Sequence, residues 1–473
     1  MSLKQLLKQP NSVKTMINIG ALLDVPTGFF VKGTRGEYVL LGGLGAITAI
    51  VGRGNRYKST ILHYMMLSAA DKLMSSGDTS MSTYDTEVNI HEHALSRFIS
   101  RFKYLADKNI LGDGTWNVTD KTVYFANVWY EELKKFLKAK VANKKQLLVT
   151  TPFYERDGKT QQRILPPTFS QVDSFSEFET EDVAKIQDEN ELGDSGANTI
   201  HMRQGLSKTR FLMDIPGLAG LSNHFLLLTA HLGDAVQIAA GPYAPQPIKK
   251  LQHMKSGDKI KGVTDKFFFL MNNCWHAANS VPLINQGTKG PEYPKAGEAV
   301  ISGDTDLNIV TLVQLRGKSG PSGFSIGIIL SQSEGVLPSL TEFHHLKTNG
   351  RFGIDGTLQH YHLDIYPEVK LSRTTVRNKI DADLKLQRAL NITAELQQLH
   401  QFNREFRNIL CTPKELYDDI KKLGYDWDMI LSETRGWWTI NDDDHPLKFL
   451  STVDLLRIRS KDYTPYWLPE KKK

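Results

Sequence analysis

The chain has 473 residues, of which 40% are hydrophobic, 9% aromatic and 23% charged. Those fractions describe a globular protein and exclude a wholly disordered or fibrous one. Lys and Arg number 58 against 52 Asp and Glu, a formal +6; an excess so mild leaves any case for a nucleic-acid partner to where the bases sit.

Residues 1 to about 35 read as a short helical arm (Leu3, Leu6, Leu7) followed by turns, without the apolar core of a signal peptide. Short β-branched runs between glycines from Gly36 to Val51 predict buried strands, and a helix follows from Ser59 to about Met74. Further strands are expected at 81–86, 146–150, 168–173, 224–230, 265–271, 308–315 and 324–330, and helices at roughly 90–107 and 128–141. Strands alternating with helices predict an α/β fold with an open, mostly parallel sheet. Residues 176–200 are acidic and read as a solvated loop or exposed helix. Beyond about 335 the pattern turns irregular and then helical (about 379–409). The expected units are therefore an arm (1–35), a core (36–340) and a smaller, mainly helical C-terminal region (341–473).

Two cysteines, Cys274 and Cys411, supply neither a disulfide framework nor a metal-ligand pair, which fits a reduced, intracellular protein. No stretch approaches roughly 18 uninterrupted apolar residues, so no membrane partner is expected.

The strongest motif is Gly52-Arg53-Gly54-Asn55-Arg56-Tyr57-Lys58-Ser59-Thr60, between an apolar strand and an amphipathic helix. Backbone N–H groups of such a loop, with the positive end of the helix dipole, cradle phosphate oxygens. Lys58 would add a point charge on the β- and γ-phosphates, and the Ser59 hydroxyl would complete Mg²⁺ coordination. Tyr57 stands where glycine is usual, so it must adopt a glycine-like backbone or the loop is reshaped. The alternative is an incidental strand–turn–helix with a basic turn. Asp85-Thr86-Glu87 ends the second strand, where a carboxylate can activate the water attacking a γ-phosphate; a helix cap is the other reading. Pro167 to Ser174 reads as a strand ending in Asp173, which could hold Mg²⁺ through water.

In this order the pieces resemble the bacterial RecA and phage UvsX family of strand-exchange recombinases, the phage branch more closely. That branch also tends to carry a bulky aromatic before the lysine, as Tyr57 does. The resemblance implies a RecA-like P-loop ATPase core, with Glu87 as catalytic base and Asp173-Ser174 as the Walker-B pair. Glu189-Asn-Glu-Leu-Gly193-Asp194-Ser195 is similar to a stretch around the family's first DNA-binding loop. His231 stands where the family senses the γ-phosphate, and Gly262–Phe267 resembles the exit from the second DNA-binding loop. Arg316-Gly-Lys318 looks like the family's basic hairpin, whose two cations reach the neighbouring subunit's ATP. The likeness spans about residues 36–345; the basic C-terminal end departs from the acidic tail of the bacterial members.

Between Ile248 and Phe267, Lys249, Lys250, Lys255, Lys259, Lys261 and Lys266 face only Asp258 and Asp265. Lysines on such a segment can neutralise phosphates without reading bases. A solvated charged loop is the alternative, and the flanking motifs favour DNA. The expected function is an ATP- and Mg²⁺-dependent recombinase that polymerises on single-stranded DNA and pairs it with double-stranded DNA. Its partners would be DNA, further copies of itself in a helical filament, and single-strand-binding and mediator proteins. Its place would be the cytoplasm, that of the infected bacterial host if phage-encoded. The competing readings are a DnaB-type hexameric helicase, which shares the ATPase core, and a nucleotide-binding assembly protein without turnover.

Overall fold

The computed structural model describes residues 14–189, 197–234, 249–295, 301–357 and 360–468. Its central element is β1 (Ile47–Gly52), all six residues of which are buried. Ile47, Ala49 and Val51 face one hydrophobic cluster and Ile50 the other, so the strand is apolar on both sides. Such a strand is stable only where helices cover both faces of its sheet.

The other strands of that sheet are β2 (Met81–Asp85), β3 (Trp116–Asp120), β4 (Thr168–Asp173), β5 (His224–Asp234), β6 (Asp258–Ile260), β7 (Asn273–Pro282), β8 (Leu307–Gly317), β9 (Ser325–Ser331) and β10 (Gly335–Val336). Their order is β10-β9-β8-β7-β1-β5-β4-β2-β3, with β6 lying against the end of β5. The six strands from β7 to β3 run parallel. β8, β9 and β10 continue the sheet antiparallel, and β6 joins β5 antiparallel. The molecule is thus α/β around a large mixed, mostly parallel sheet.

Helix α1 (Lys58–Met74) covers one face, while α2 (Ala126–Ala142) and α3 (Ala197–Ser222) cover the other. The expected strand at 265–271 is instead a helical turn, α4 (Lys266–Leu270), and the strand begins at Asn273. The adjacent side chains Phe267 and Phe268 are both buried whereas Phe269 is exposed. Two neighbours pointing inward suit a helical turn and not the alternation of a strand. The strand expected at 146–150 is displaced as well: Val149–Tyr154 pairs with Gln161–Ile164 in a separate hairpin.

Residue 340 falls inside α5 (Pro338–Thr348), which packs against β9 and against the long helix α6 (Leu384–Phe402). A three-stranded sheet precedes α6. One cluster of buried side chains runs from Met16 to Leu468. Residues Met16, Ile17, Ile19, Leu22 and Leu23, within the segment read as an arm, belong to it. Trp438 is buried in the same cluster, its indole N–H donating to the Met16 carbonyl at 3.0 Å.

Candidate active site

The site lies at the carboxyl ends of the parallel strands, where β1 meets β5 on one side and β7 on the other. In open α/β sheets that crevice is where ligands bind. Gly52 ends β1 in register with His231 of β5 and Ala277 of β7. A Cβ at Gly52 would sit 3.0 Å from the Ala277 carbonyl oxygen, so glycine lets the two strands close up there.

The turn that follows takes a glycine-like backbone without glycine: Asn55 and Tyr57 both have φ +53°. A side chain in that conformation costs roughly 1–2 kcal/mol. The Tyr57 ring is half-buried against the core. Lys58 then opens α1, and its ammonium donates to the Arg53 carbonyl at 2.9 Å. Burial pushes its pKa down, and the nearby carboxylates of Asp173 and Glu87 pull it back up. The lysine therefore feels both acids that the sequence singles out. Ser59 is exposed and Thr60 half-exposed beside it.

Asp173 ends β4 and is buried, with Thr229 of β5 donating its hydroxyl to Oδ1. The peptide bond from Asp173 to Ser174 is cis. Thr86 accepts from the Ser174 amide at 2.6 Å and donates to the Ser174 carbonyl at 2.9 Å, which binds the end of β2 to the end of β4. The turn after β2 is held by Asp85, whose carboxylate accepts from the amides of Glu87, Val88, Asn89 and Ile90. That turn delivers Glu87 to His231, with Nε2 to Oε1 at 2.9 Å. A carboxylate can only accept here, so Nε2 carries the hydrogen. The His231 amide donates to the Ser176 hydroxyl at 2.8 Å, which fixes the backbone from which the imidazole projects.

Four residues spread over positions 58 to 231 thus converge on one crevice. No protein-family model and no curated protein matches this chain. What the crevice can do therefore rests on its own chemistry. The fit to a triphosphate with Mg²⁺ is good. A basic turn opens a helix, an exposed hydroxyl (Ser59) stands next to a buried lysine, and Asp173 is a buried carboxylate whose Oδ1 accepts from Thr229. Ser59 and Asp173 would hold such an ion, which would neutralise charge on the phosphates.

Arg316 and Lys318 are elsewhere. Arg316 pairs with Cys274, which pairs with Ala49, and Gly317 lines up through Asn273 with Thr48. The hairpin therefore sits toward the opposite end of the sheet, about 10 Å or more from Gly52 at 3.3 Å per residue. The Arg316 guanidinium lies 5.6 Å from the centroid of the Phe269 ring, and its Nε is buried without a hydrogen-bond partner.

Lys249, Lys250, Lys255, Lys259 and Lys261 are all exposed. Lys250 is paired with Asp265 at 2.7 Å. The expected first DNA-contacting stretch falls mostly at 190–196, outside the described residues. Thr229, the support from Asp85, and the ion pairs of Arg53 with Asp234 and Asp258 carry no signature in the sequence. Thr229 precedes His231 by two positions on one strand, the spacing that puts both on the same side of β5.

Proposed function

We propose that the chain is an ATP-dependent DNA recombinase that assembles on single-stranded DNA and promotes pairing with a homologous duplex. The observation that carries the reading is the convergence of Lys58, Asp173, Glu87 and His231 at the carboxyl ends of the strands. Lys58 and the turn amides would bind the β- and γ-phosphates, and Glu87 would orient and deprotonate the attacking water. His231, bonded to Glu87, would report the γ-phosphate to β5 and on to the lysine-bearing segment. Arg316 and Lys318 are too far from their own phosphate turn to serve it, which supports a role at the nucleotide of an adjoining copy. Hydrolysis would then weaken the contact between copies and couple turnover to assembly.

The test is phosphate release by the full chain with and without single-stranded DNA, alongside electron microscopy with a slowly hydrolysed ATP analogue. The reading expects DNA-stimulated hydrolysis that Lys58→Ala abolishes, together with open helical filaments. Closed rings would point to the helicase, and nucleotide binding without turnover to the assembly protein.

A further inference from the structure

Arg53 is the second residue of the phosphate turn, yet its side chain leaves the crevice. Its guanidinium forks onto Asp234, with Nη2 to Oδ1 at 2.6 Å and Nη1 to Oδ2 at 3.1 Å. The same Nη2 lies 3.8 Å from Asp258. Asp234 ends β5 and Asp258 begins β6, and the two are directly opposite in the β5–β6 register. Like charges in that arrangement destabilise a strand pair. Arg53 is the cation that makes it tolerable.

The ribbon held in this way carries the lysines. Lys259 pairs with Gly233, Ile260 is buried, and the Lys261 amide donates to the His231 carbonyl at 2.9 Å. The Lys261 side chain lies over Gly233, where a Cβ would come within 2.8 Å of its Cε. Lys261 is thus within electrostatic reach of Asp234, whose carboxyl is held below its usual range chiefly by Arg53 and secondarily by Lys261. Asp234 therefore has two competing cations. While Arg53 holds it, Lys261 is left for a phosphate backbone; released, Asp234 neutralises Lys261.

We propose that Arg53 and Asp234 are positioning residues that couple nucleotide binding to DNA binding, Arg53 keeping Asp234 off Lys261 when the turn wraps a triphosphate. The inference rests on the nucleotide-and-DNA reading above and names the connection between its two sites. A turn drawn around phosphates has its amides fixed inward, which fixes the Arg53 Cα and the point from which the fork reaches Asp234. Nucleotide then tightens DNA binding, and DNA tightens nucleotide binding by the same factor. A lone exposed ion pair would be too weak for this, but a bidentate fork shared with a second carboxylate is the geometry in which surface pairs count.

The experiment measures binding of a labelled oligo(dT) by fluorescence anisotropy at low salt, with and without Mg²⁺ and a slowly hydrolysed ATP analogue. Wild type, Asp234→Asn and Asp234→Glu are compared. Asp234 has 73% of its side chain exposed, so the substitutions leave packing intact. Wild type should bind oligo(dT) about fivefold or more tighter with the analogue. Asp234→Asn should bind with and without it within about twofold, because no acid is left to control, and Asp234→Glu should keep most of the coupling. If Asp234→Asn retains the wild-type ratio, or wild type binds both ligands with no ratio at all, the coupling is overturned while the nucleotide-and-DNA reading stands. If wild type binds neither the analogue nor oligo(dT), that reading falls and takes the coupling with it.

Discussion

Glu87 and His231 meet across two intervening strand spacings, and each is held by a different device. Asp85 gathers four amides to shape the turn that carries Glu87, and Asn89 donates to Glu87 Oε2 at 3.1 Å while His231 bonds Oε1. The carboxylate is thereby oriented before any substrate arrives, which is what a general base requires. On the proposed reading, Glu87→Gln preserves the shape and removes the base. It should lower ATP hydrolysis by about 100-fold or more while leaving nucleotide binding within a few-fold, read by phosphate release against a nucleotide titration. A loss of binding equal to the loss of rate would remove Glu87 from the chemistry. Lys58 is legible from the glycine-punctuated turn between strand and helix, Glu87 and Asp173 from carboxylates at or just past strand ends, and His231 from the family resemblance alone. Thr229 is not legible, nor is the ion pair that Arg53 makes. Their meaning depends on partners supplied by another strand, 56 positions away for Thr229 and 181 for Arg53.

Elements explain why two basic residues named with the site lie outside it. β7 runs parallel to β1, and β8 returns antiparallel, so the β8–β9 turn emerges at the end of the sheet opposite the Gly52–Lys58 turn. Packing against Val25–Thr27 fixes it there, since a Cβ at Gly320 would overlap the Pro26 carbonyl oxygen at 2.1 Å. Under the proposed reading, cations at one end of the sheet and the Gly52–Lys58 turn at the other would form a heterologous, head-to-tail pair of surfaces, the kind that builds rings or helical filaments. Mixing therefore makes a sharp prediction. Lys58→Ala and Arg316→Ala should each be inactive alone, and a mixture of the two should regain DNA-stimulated hydrolysis. Activity returns wherever an intact turn from one variant meets an intact Arg316 from the other. A mixture as inactive as its components would place Arg316 outside the nucleotide site of any copy. The order of strands was legible only as a class, because alternation of apolar runs shows that a parallel sheet forms without showing which strands adjoin. The helical turn at 266–270, where a strand is expected, has the same origin: Phe267-Phe268-Phe269-Leu270 is equally apolar in either structure, and only its burial pattern separates them.

Over the whole molecule, the core and the C-terminal region share one apolar cluster, yet ionisable groups are buried where they join. A cavity of about 480 Å³ lies between α1 and the C-terminal helices, lined among others by Asp24, Lys72, Glu342, Arg388 and Glu395. Arg388 donates to Thr434, Asn391 and the Leu450 carbonyl, and its charge offsets only part of what burial does to Glu342 and Glu395. The acids show the consequence. Burial pushes Glu342 up to about 8 and Asp24 up to about 6, and raises Glu395 as well. No spacing in the sequence could announce this, since the three acids come from segments that meet only on folding. A carboxyl whose pKa is raised by folding binds its proton more tightly in the native state. For Glu342 that contribution is fully present below about 4.5 and is lost as the pH rises toward 8. Buried lysines act in the opposite sense: Lys140, lowered to about 7 by burial, makes stability rise with pH from about 7 toward 10.5. The slope of the wild type alone therefore mixes the two, and the informative quantity is the difference between wild type and Glu342→Gln, in which Lys140 cancels. The two proteins should match near pH 4.5, and Glu342→Gln should become the more stable by on the order of 1–3 kcal/mol by pH 8, since a tenfold change in proton affinity is worth about 1.4 kcal/mol. Chemical denaturation at a series of pH values reads this directly. Parallel curves would mean that Glu342 is already ionised in the folded protein and that the seam is held by ion pairs instead of by a protonated acid.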